Sequence, residues 1–553
     1  MPPPRHIAVL GGGITGLSSA FHLSRRFPTA QITLVEKQKR LGGWIRSERL
    51  PCLPNGGSVV LEAGPRTLRP VDKSILELIH LLGLSKDLIT TPKTSSAARN
   101  RFLHVPELGR GLHVIPSTPL AFASSNAWPL TRVLLPAVLG EPFRRWNRPL
   151  PSHPFLSGSA KGNQKYTDES VDSFLTRRFG EAFARVFGSA LVHGIYAADS
   201  RSLSVRAAFP SLWEAEEAGG GSVLLGFLRK SRRQAANSGS DGEGYKIGDV
   251  AEKMKNVSVF SFRDGMETLP KALEVYLEKQ ENVHIVRGRS VTGLSRKHGD
   301  EAFELKLDDS NNVGSSSPPL TVTHIASALP LPTLHRILLS SPSSSTLPYL
   351  TTNPMSTVTV INLVFACPPS AIHPAGFGYL IPRAAAPSPS VQRTELGKNH
   401  LHLLGTVFDS CSLAEQDSSP GTTTKLTVML KGEAPHHDDV DMVSPSMDPS
   451  TSRPSPSVPR LIARVLTTLV HHLSLPAGTL PDPVYWKVHV NRGCIPTYLP
   501  GHKQQMEELQ RVLTEEGKGI GWEGRLQVVG AGVGGVSVGD CVGAGKRVGE
   551  GWR

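Results

Sequence analysis

One junction restricts the fold of this chain more than any other feature: an apolar run, Ile7–Leu10, that meets Gly11, Gly12, Gly13 and then Gly16. Leu17 to Leu23 reads as a helix, and a second strand, Gln31 to Val35, ends on Glu36. Strand, Gly-x-Gly-x-x-Gly turn, helix, strand and acid at this spacing specify a βαβ nucleotide-binding unit. Gly11 permits the tight turn. Gly13 lets the backbone approach a pyrophosphate, and Gly16 lets helix and strand pack closely. Gly12, Ile14 and Thr15 complete a turn whose free amides and positive dipole end suit phosphates. Glu36 can accept hydrogen bonds from a ribose.

The residues that follow narrow the cofactor. Lys37, Arg40, Gly42, Gly43 and Trp44 come at once, and Gly64, Pro65, Arg66 and Thr67 follow a strand at Val59–Glu62. Acid, base and a second glycine pair form the extended pattern of flavoproteins that bind FAD, whose longer reactive end needs more close backbone. Near the other terminus, Leu526 to Gly532 reads as a strand entering a glycine turn, with Val536, Ser537, Val538 and Asp540 beyond it. This second turn can bring amides to the flavin or its ribityl chain, and Asp540 can bond a ribityl hydroxyl. The cofactor domain is therefore expected to be discontinuous.

A length of 553 residues allows two to four domains. The net charge of +13 suits an anionic membrane or substrate. No zinc-finger, RNP or basic-zipper pattern is present, so nucleic acid is not expected as a partner. The five cysteines, Cys52, Cys367, Cys411, Cys494 and Cys541, form no CxxC pair, which argues against a disulfide framework or structural zinc. Met1 to Arg5 leads almost directly into the first strand, so no cleaved presequence is expected, and no apolar run is long enough to span a membrane. From Pro116 to about Ser159, Trp128, Leu134, Leu135, Phe143 and Trp146 mix with arginines, as an interfacial membrane segment requires, although prolines cut it into short pieces. Ser310–Pro319, Ser340–Pro348 and Glu433–Pro459 are too polar to pack and read as disordered.

Over almost its whole length the chain resembles the protoporphyrinogen oxidase family. The resemblance rests on Arg-Asn-Arg-Phe-Leu from Arg99, Gly-Ile-Tyr-Ala from Gly194, Gly-Phe-Gly-Tyr-Leu-Ile-Pro from Gly376 and Cys-Ile-Pro-Thr-Tyr from Cys494, besides the glycine motifs. It implies an α/β and α+β protein: a Rossmann-like FAD domain of the amine-oxidase and p-hydroxybenzoate-hydroxylase type, a mixed-sheet substrate domain and a helical membrane-binding domain. The FAD domain would take 1–90, 226–325 and 496–553, the helical domain 91–225 and the substrate domain 326–495. The implied reaction is oxidation of protoporphyrinogen IX by dioxygen, releasing hydrogen peroxide, in haem biosynthesis. The implied setting is a homodimer on the intermembrane-space face of the mitochondrial inner membrane. Arg101 matches an arginine that pairs a substrate propionate, and Leu334 an apolar wall against the macrocycle. The Gly194 carbonyl matches a group facing the pyrrole nitrogens, Arg66 one that abuts the flavin, and Val291 one beside the adenine. Two departures stand out: Gly532-Val533-Gly534-Gly535 replaces a turn that usually holds an aromatic residue, and Gly539 stands where asparagine is common. Another flavoenzyme of this fold, an amine oxidase or a desaturase, is the alternative.

Overall fold

The computed structural model describes residues 3–51, 53, 57–117, 122, 127–146, 168–236, 244–296, 302–309, 318–340, 347–385, 401–433, 459–514 and 522–552. The polar stretches 310–317, 341–346 and 434–458 lie outside the described residues, as do 147–159. Strand β1 (His6–Leu10) is the centre of a five-stranded parallel sheet. On one side lie β2 (Gln31–Glu36) and then Val283–Arg287; on the other lie His324–Ser327 and then Leu526–Val528. Four distant parts of the chain thus build one sheet. Ile7 and Val9 pack into one core with Leu17 and Phe21, whereas Ala8 and Leu10 pack into another with Leu305, Ile325 and Leu526. Both faces are covered, which is why this strand reads as an unbroken apolar run.

Helix α1 (Ile14–Arg26) lies against the C-terminal helix Val538–Arg547, where Ser18 Oγ donates to the Val542 carbonyl at 3.0 Å. A Cβ at Gly545 would stand 2.7 Å from Ser18 Cβ, so the two helices meet through small residues. The last helix is thereby fixed against the first.

A seven-stranded sheet forms the second layer, in the order 485–496, 355–365, 424–431, 403–408, 378–380, 102–103 and 113–114. Phe102–Leu103 pairs in parallel with Tyr379–Leu380, and His113–Val114 closes the edge. Residues 102–114 therefore belong to the large sheet, which corrects the assignment of all of 91–225 to a helical domain. Two-residue strands carry too little periodicity to be seen, and their apolar neighbours are remote in sequence. Arg289–Arg296 pairs with Phe303–Asp309 in a separate antiparallel sheet.

Helices within 128–236 make the third layer. Trp128–Gly140 is one 13-residue helix that carries Pro136 inside it, rather than the short pieces its prolines suggest. Pro129 sits in the first turn, where its missing N–H is not needed. The layer is held by buried charge. Glu141 receives Arg178 in hydrogen bonds of 3.0 Å from Nε and 2.5 Å from Nη2. It also receives Ser222 Oγ and the Val223 amide at the start of helix Val223–Ala236. Removing Arg178 would leave Glu141 buried without its cation, and removing Glu141 would leave Arg178 only Glu216, at 3.7 Å.

Glu62 joins the layers from the end of strand Val59–Glu62. It accepts hydrogen bonds from Met266 N at 2.8 Å and Ser47 Oγ at 2.7 Å. Burial pushes its pKa up to about 8 from the ordinary value of 4.5, against the opposing effect of these hydrogen bonds and of Arg66 and Lys425. The native carboxyl keeps its proton to about pH 8, while the unfolded one loses it near 4.5. Unfolding therefore releases a proton between these values, and stability falls as pH rises across the window. Glu62→Gln removes this dependence. The Tm of the variant relative to the wild type is expected to rise steadily from pH 5 to pH 8 in parallel thermal scans. A difference that does not vary with pH would contradict the assignment.

Candidate active site

The site begins where β1 ends. Helix α1 starts behind Gly13, with no side-chain cap and no acidic residue in its first turn. Its first amides have no intrahelical acceptors and turn outward. A Cβ at Gly16 would lie 1.8 Å from the Gly11 carbonyl oxygen, so helix and strand could not meet with a larger residue there. A Cβ at Gly13 would meet only Gly43 Cα, at 4.0 Å, and would otherwise project into open space.

That space is a cleft of about 800 Å³, within the range of small-molecule and cofactor sites. Among the expected cofactor residues, Gly11, Gly13, Ile14, Thr15, Glu36, Lys37, Gly43, Trp44, Pro65, Val291, Val536 and Val538 line it. They come from four separate parts of the chain. Glu36 is oriented by two amides: Gly12 N donates to Oε2 at 2.7 Å and Gln38 N to Oε1 at 2.9 Å. Lone pairs on both oxygens remain for ribose hydroxyls. The Gly42 amide donates to the Gly12 carbonyl at 2.9 Å, which sets the second glycine pair beside the first. Arg40 fastens this loop by donating to the carbonyls of Leu41, Gly43 and Ile45.

The C-terminal glycine turn is held by residues to which the sequence assigned no role. Tyr498 Oη donates to the Ala531 carbonyl. The His502 ring stacks on Tyr498 with centroids 4.2 Å apart, and its Nε2 donates to the Val533 carbonyl at 2.9 Å. Its Nδ1 then accepts from Asn353 Nδ2 at 2.9 Å. Burial pushes the His502 pKa down to about 4, so the ring is neutral and this arrangement of donor and acceptor persists. Asn353 also lines the cleft. Tyr498 and His502 fall inside the Cys494–His502 segment that carried part of the resemblance. Its sequence gives no sign that these side chains hold a turn more than 28 residues away.

Several expected residues serve the cleft from behind it. Gly12 packs on Leu41 and Glu36, and a Cβ at Gly64 would lie 2.1 Å from the Trp44 carbonyl oxygen. Thr67 does not line the cleft. Ser537 and Asp540 form a capping box at the start of helix Val538–Arg547, with Asp540 Oδ2 accepting from Ser537 N and Oγ. Asp540 therefore serves its own helix end through Oδ2. Gly539 has a local reason, since a Cβ there would stand 2.3 Å from Asp72 Oδ2.

Two expectations are corrected. Arg66 is buried and directed at Asp409, with Nη1 3.6 Å from Oδ1, and it does not line the cleft. A buried carboxylate demands a cation, and Asp409 claims this one. Leu334 is wholly buried in the core behind the cofactor sheet; Leu331, buried in the same core, also reaches the cleft lining, as do Pro332 and Thr333 of the same helix. Leu334 takes the helical face turned to the core.

Arg101 and Gly194 lie away from the cleft lining but converge on one strand, Gly378–Leu380. Arg101 directly precedes Phe102–Leu103, which pairs with Tyr379–Leu380. A Cβ at Gly194 would lie 2.9 Å from Leu380 Cδ1 and Cδ2. The Arg101 guanidinium sits 5.9 Å from the centre of the Phe377 ring. Partial burial, and then the neighbouring Arg69, disfavour its charged form. A carboxylate placed there would relieve both.

Residues 14–448 match the family described as flavin containing amine oxidoreductase. The protoporphyrinogen oxidase of Schizosaccharomyces pombe is 30% identical over 97% of this chain and 96% of its own length. The human protoporphyrinogen oxidase is 31% identical over 98% and 97%. A crystal structure described as a putative protoporphyrinogen oxidase from Exiguobacterium covers 99% of this chain and 98% of its own, with a TM-score of 0.66 and 19% identity, which bears on the fold alone.

The glycines separate folding from binding. Gly16→Val is expected to prevent folding, because its side chain would occupy the end of β1. Gly13→Val is expected to give soluble, folded protein without bound flavin, because its side chain enters only the cleft. Flavin absorbance and thermal melting of the two purified variants check both; normal flavin content in Gly13→Val would sink this reading of the turn.

Proposed function

The chain belongs to the protoporphyrinogen oxidases within the flavin-containing amine oxidoreductases, and from that membership we propose that it oxidises protoporphyrinogen IX to protoporphyrin IX with dioxygen as acceptor. FAD is its cofactor. What carries the reading to the substrate is the extent of the match: it spans 97–98% of this chain, covering the sheet and helices that hold Arg101 and Gly194 as well as the nucleotide-binding turn.

The residues present fit FAD. The open first turn of α1 and Gly43 would hold the pyrophosphate, Glu36 a ribose and Val291 the adenine end. The amides of the turn at 531–538 would face the flavin side. When bound, FAD supplies a two-electron acceptor for hydride. The protein's part is to place the substrate and keep water out. Arg101 is a bidentate partner for a propionate carboxylate, and Phe377 below it limits the directions the guanidinium can take. Leu191, Gly194 and Ile195 are exposed along one helix beside Leu380 and offer an apolar wall to a tetrapyrrole. Pyrrole protons would leave past the Gly194 carbonyl. Arg66, held by Asp409, would act on the Gly64–Thr67 turn by fixing its position rather than by touching the reacting atoms.

The reading includes peripheral attachment to the mitochondrial inner membrane as a homodimer. No helix among the described residues is long and apolar enough to cross a membrane. The helical layer instead exposes large apolar side chains: Trp128 at 54%, Leu139 at 64%, Phe143 at 88% and Leu228 at 59%. Arg132, Arg144, Arg145 and Arg229 stand among them in sequence, a pairing suited to anionic headgroups.

The test is porphyrin fluorescence and peroxide release from detergent-solubilised protein given protoporphyrinogen under air, read above autoxidation. Enzyme-dependent formation of both supports the proposal; bound FAD without porphyrin would redirect it to another substrate. Arg101→Ala is expected to keep its FAD and raise KM about 10- to 100-fold, the loss of one charge-assisted pair of roughly 1.5–3 kcal/mol. An unchanged KM would remove Arg101 from substrate binding.

A further inference from the structure

A cluster of three histidines lies outside the cleft and has no part in the reaction described above. His471 and His472 end the helix Arg460–Leu473, which packs in the core of the seven-stranded sheet. His104 directly follows the strand Phe102–Leu103, next to the sheet edge. One ring nitrogen from each of the three lies within 4.8 Å of those of the other two. The His104 and His472 rings face each other with centroids 3.9 Å apart.

The partners of these rings decide which nitrogens are available. His104 Nδ1 lies 3.0 Å from the Gly111 carbonyl, which can only accept, so Nδ1 carries the proton and Nε2 keeps its lone pair. His472 Nδ1 lies 3.0 Å from Tyr379 Oη. Thr406 stands opposite Tyr379 in the strand register, and its buried hydroxyl has no hydrogen-bond partner. Tyr379 can therefore give its proton towards Thr406 and accept from His472, which again leaves Nε2 free. A backbone carbonyl on one histidine and a phenolic oxygen on another are the outer contacts that orient imidazoles towards a metal.

We propose that His104, His471 and His472 bind one divalent transition cation of the zinc type. Three imidazoles suit zinc, copper or nickel better than the hard cations calcium and magnesium. Tetrahedral zinc with Zn–N of about 2.0–2.1 Å brings its nitrogens to about 3.3 Å from one another. To reach this, the stacked His104 and His472 rings, 3.9 Å apart and tilted by 30°, must open so that their in-plane lone pairs converge, and His471 must rotate towards them; the exposed side chain of His471 leaves the fourth position to water. None of the three residues lines the cleft, so the metal is a structural clamp. It ties the end of a helix from residues 460–473 to the strand that Arg101 precedes, 356 or more residues earlier in the chain. Because that strand is two residues long and lies near the sheet edge, it has few ladder hydrogen bonds of its own.

The experiment uses the flavin-loaded protein, stripped with a chelator and returned to chelator-free buffer. Cobalt(II) is titrated in while absorbance is followed on the long-wavelength side of the flavin bands. The expected result is tetrahedral cobalt bands that saturate at one equivalent per chain and vanish on adding zinc(II). His471→Asn, at an exposed position, is expected to keep flavin content and Tm in chelator while weakening cobalt binding at least tenfold. Zinc is expected to raise the Tm of the wild type but not of His471→Asn. No cobalt bands, or equal binding by wild type and His471→Asn, would overturn the site and leave the three rings as a stacked helix end.

Discussion

The end of β1 and the start of α1 meet backbone to backbone: a single added carbon at Gly16 would stand 1.8 Å from the Gly11 carbonyl oxygen. Everything functional depends on that contact. It aims the uncapped amides of α1 at one point, beyond the carboxyl ends of the parallel strands. The neighbouring strands then deliver Glu36 from β2 and the 528–538 turn to the same place. The Gly42–Gly43 loop can lie against Gly12 and Gly13 because neither side carries a side chain. Binding capacity here is backbone exposed by the absence of side chains.

Polar groups buried between layers keep that opening in shape. Glu62 ties the first cofactor segment to the turn at Met266, and Glu141 with Arg178 locks the helical layer. Tyr498 and His502 hold the last glycine turn by its carbonyls. Each is costly to bury alone and is satisfied only when two remote segments are in register. Such contacts give little sequence signal, since a buried tyrosine or histidine looks like any other.

Local patterns were legible where chemistry and spacing coincide within one short segment. The βαβ unit, the second glycine pair and the terminal turn could be read directly, and most of their residues do line the cleft. The direction in which a side chain points is set instead by contacts remote in sequence. Leu334 and Leu331 are apolar residues of one helix buried in one core, and only the packing of that helix brings Leu331 to the cleft lining while Leu334 stays behind it. Arg66 follows a glycine turn beside the cleft, yet Asp409, more than 340 residues later, draws it away. Asp540 stands near the site but satisfies its own helix end.

The sequence by itself determined that this chain binds a dinucleotide-type flavin cofactor, because glycine is the one residue that can form such a turn and its spacing cannot be concealed. It also determined the family, through short segments kept in order. Tertiary structure alone decided the seams: that Phe102–Leu103 and His113–Val114 extend the large sheet, that Arg289–Arg296 pairs with Phe303–Asp309, and that His104 meets His471 and His472. Backbone conformation is dictated by neighbours along the chain, whereas the partner of a buried charge or ring is chosen by segments that meet only when the whole protein has folded.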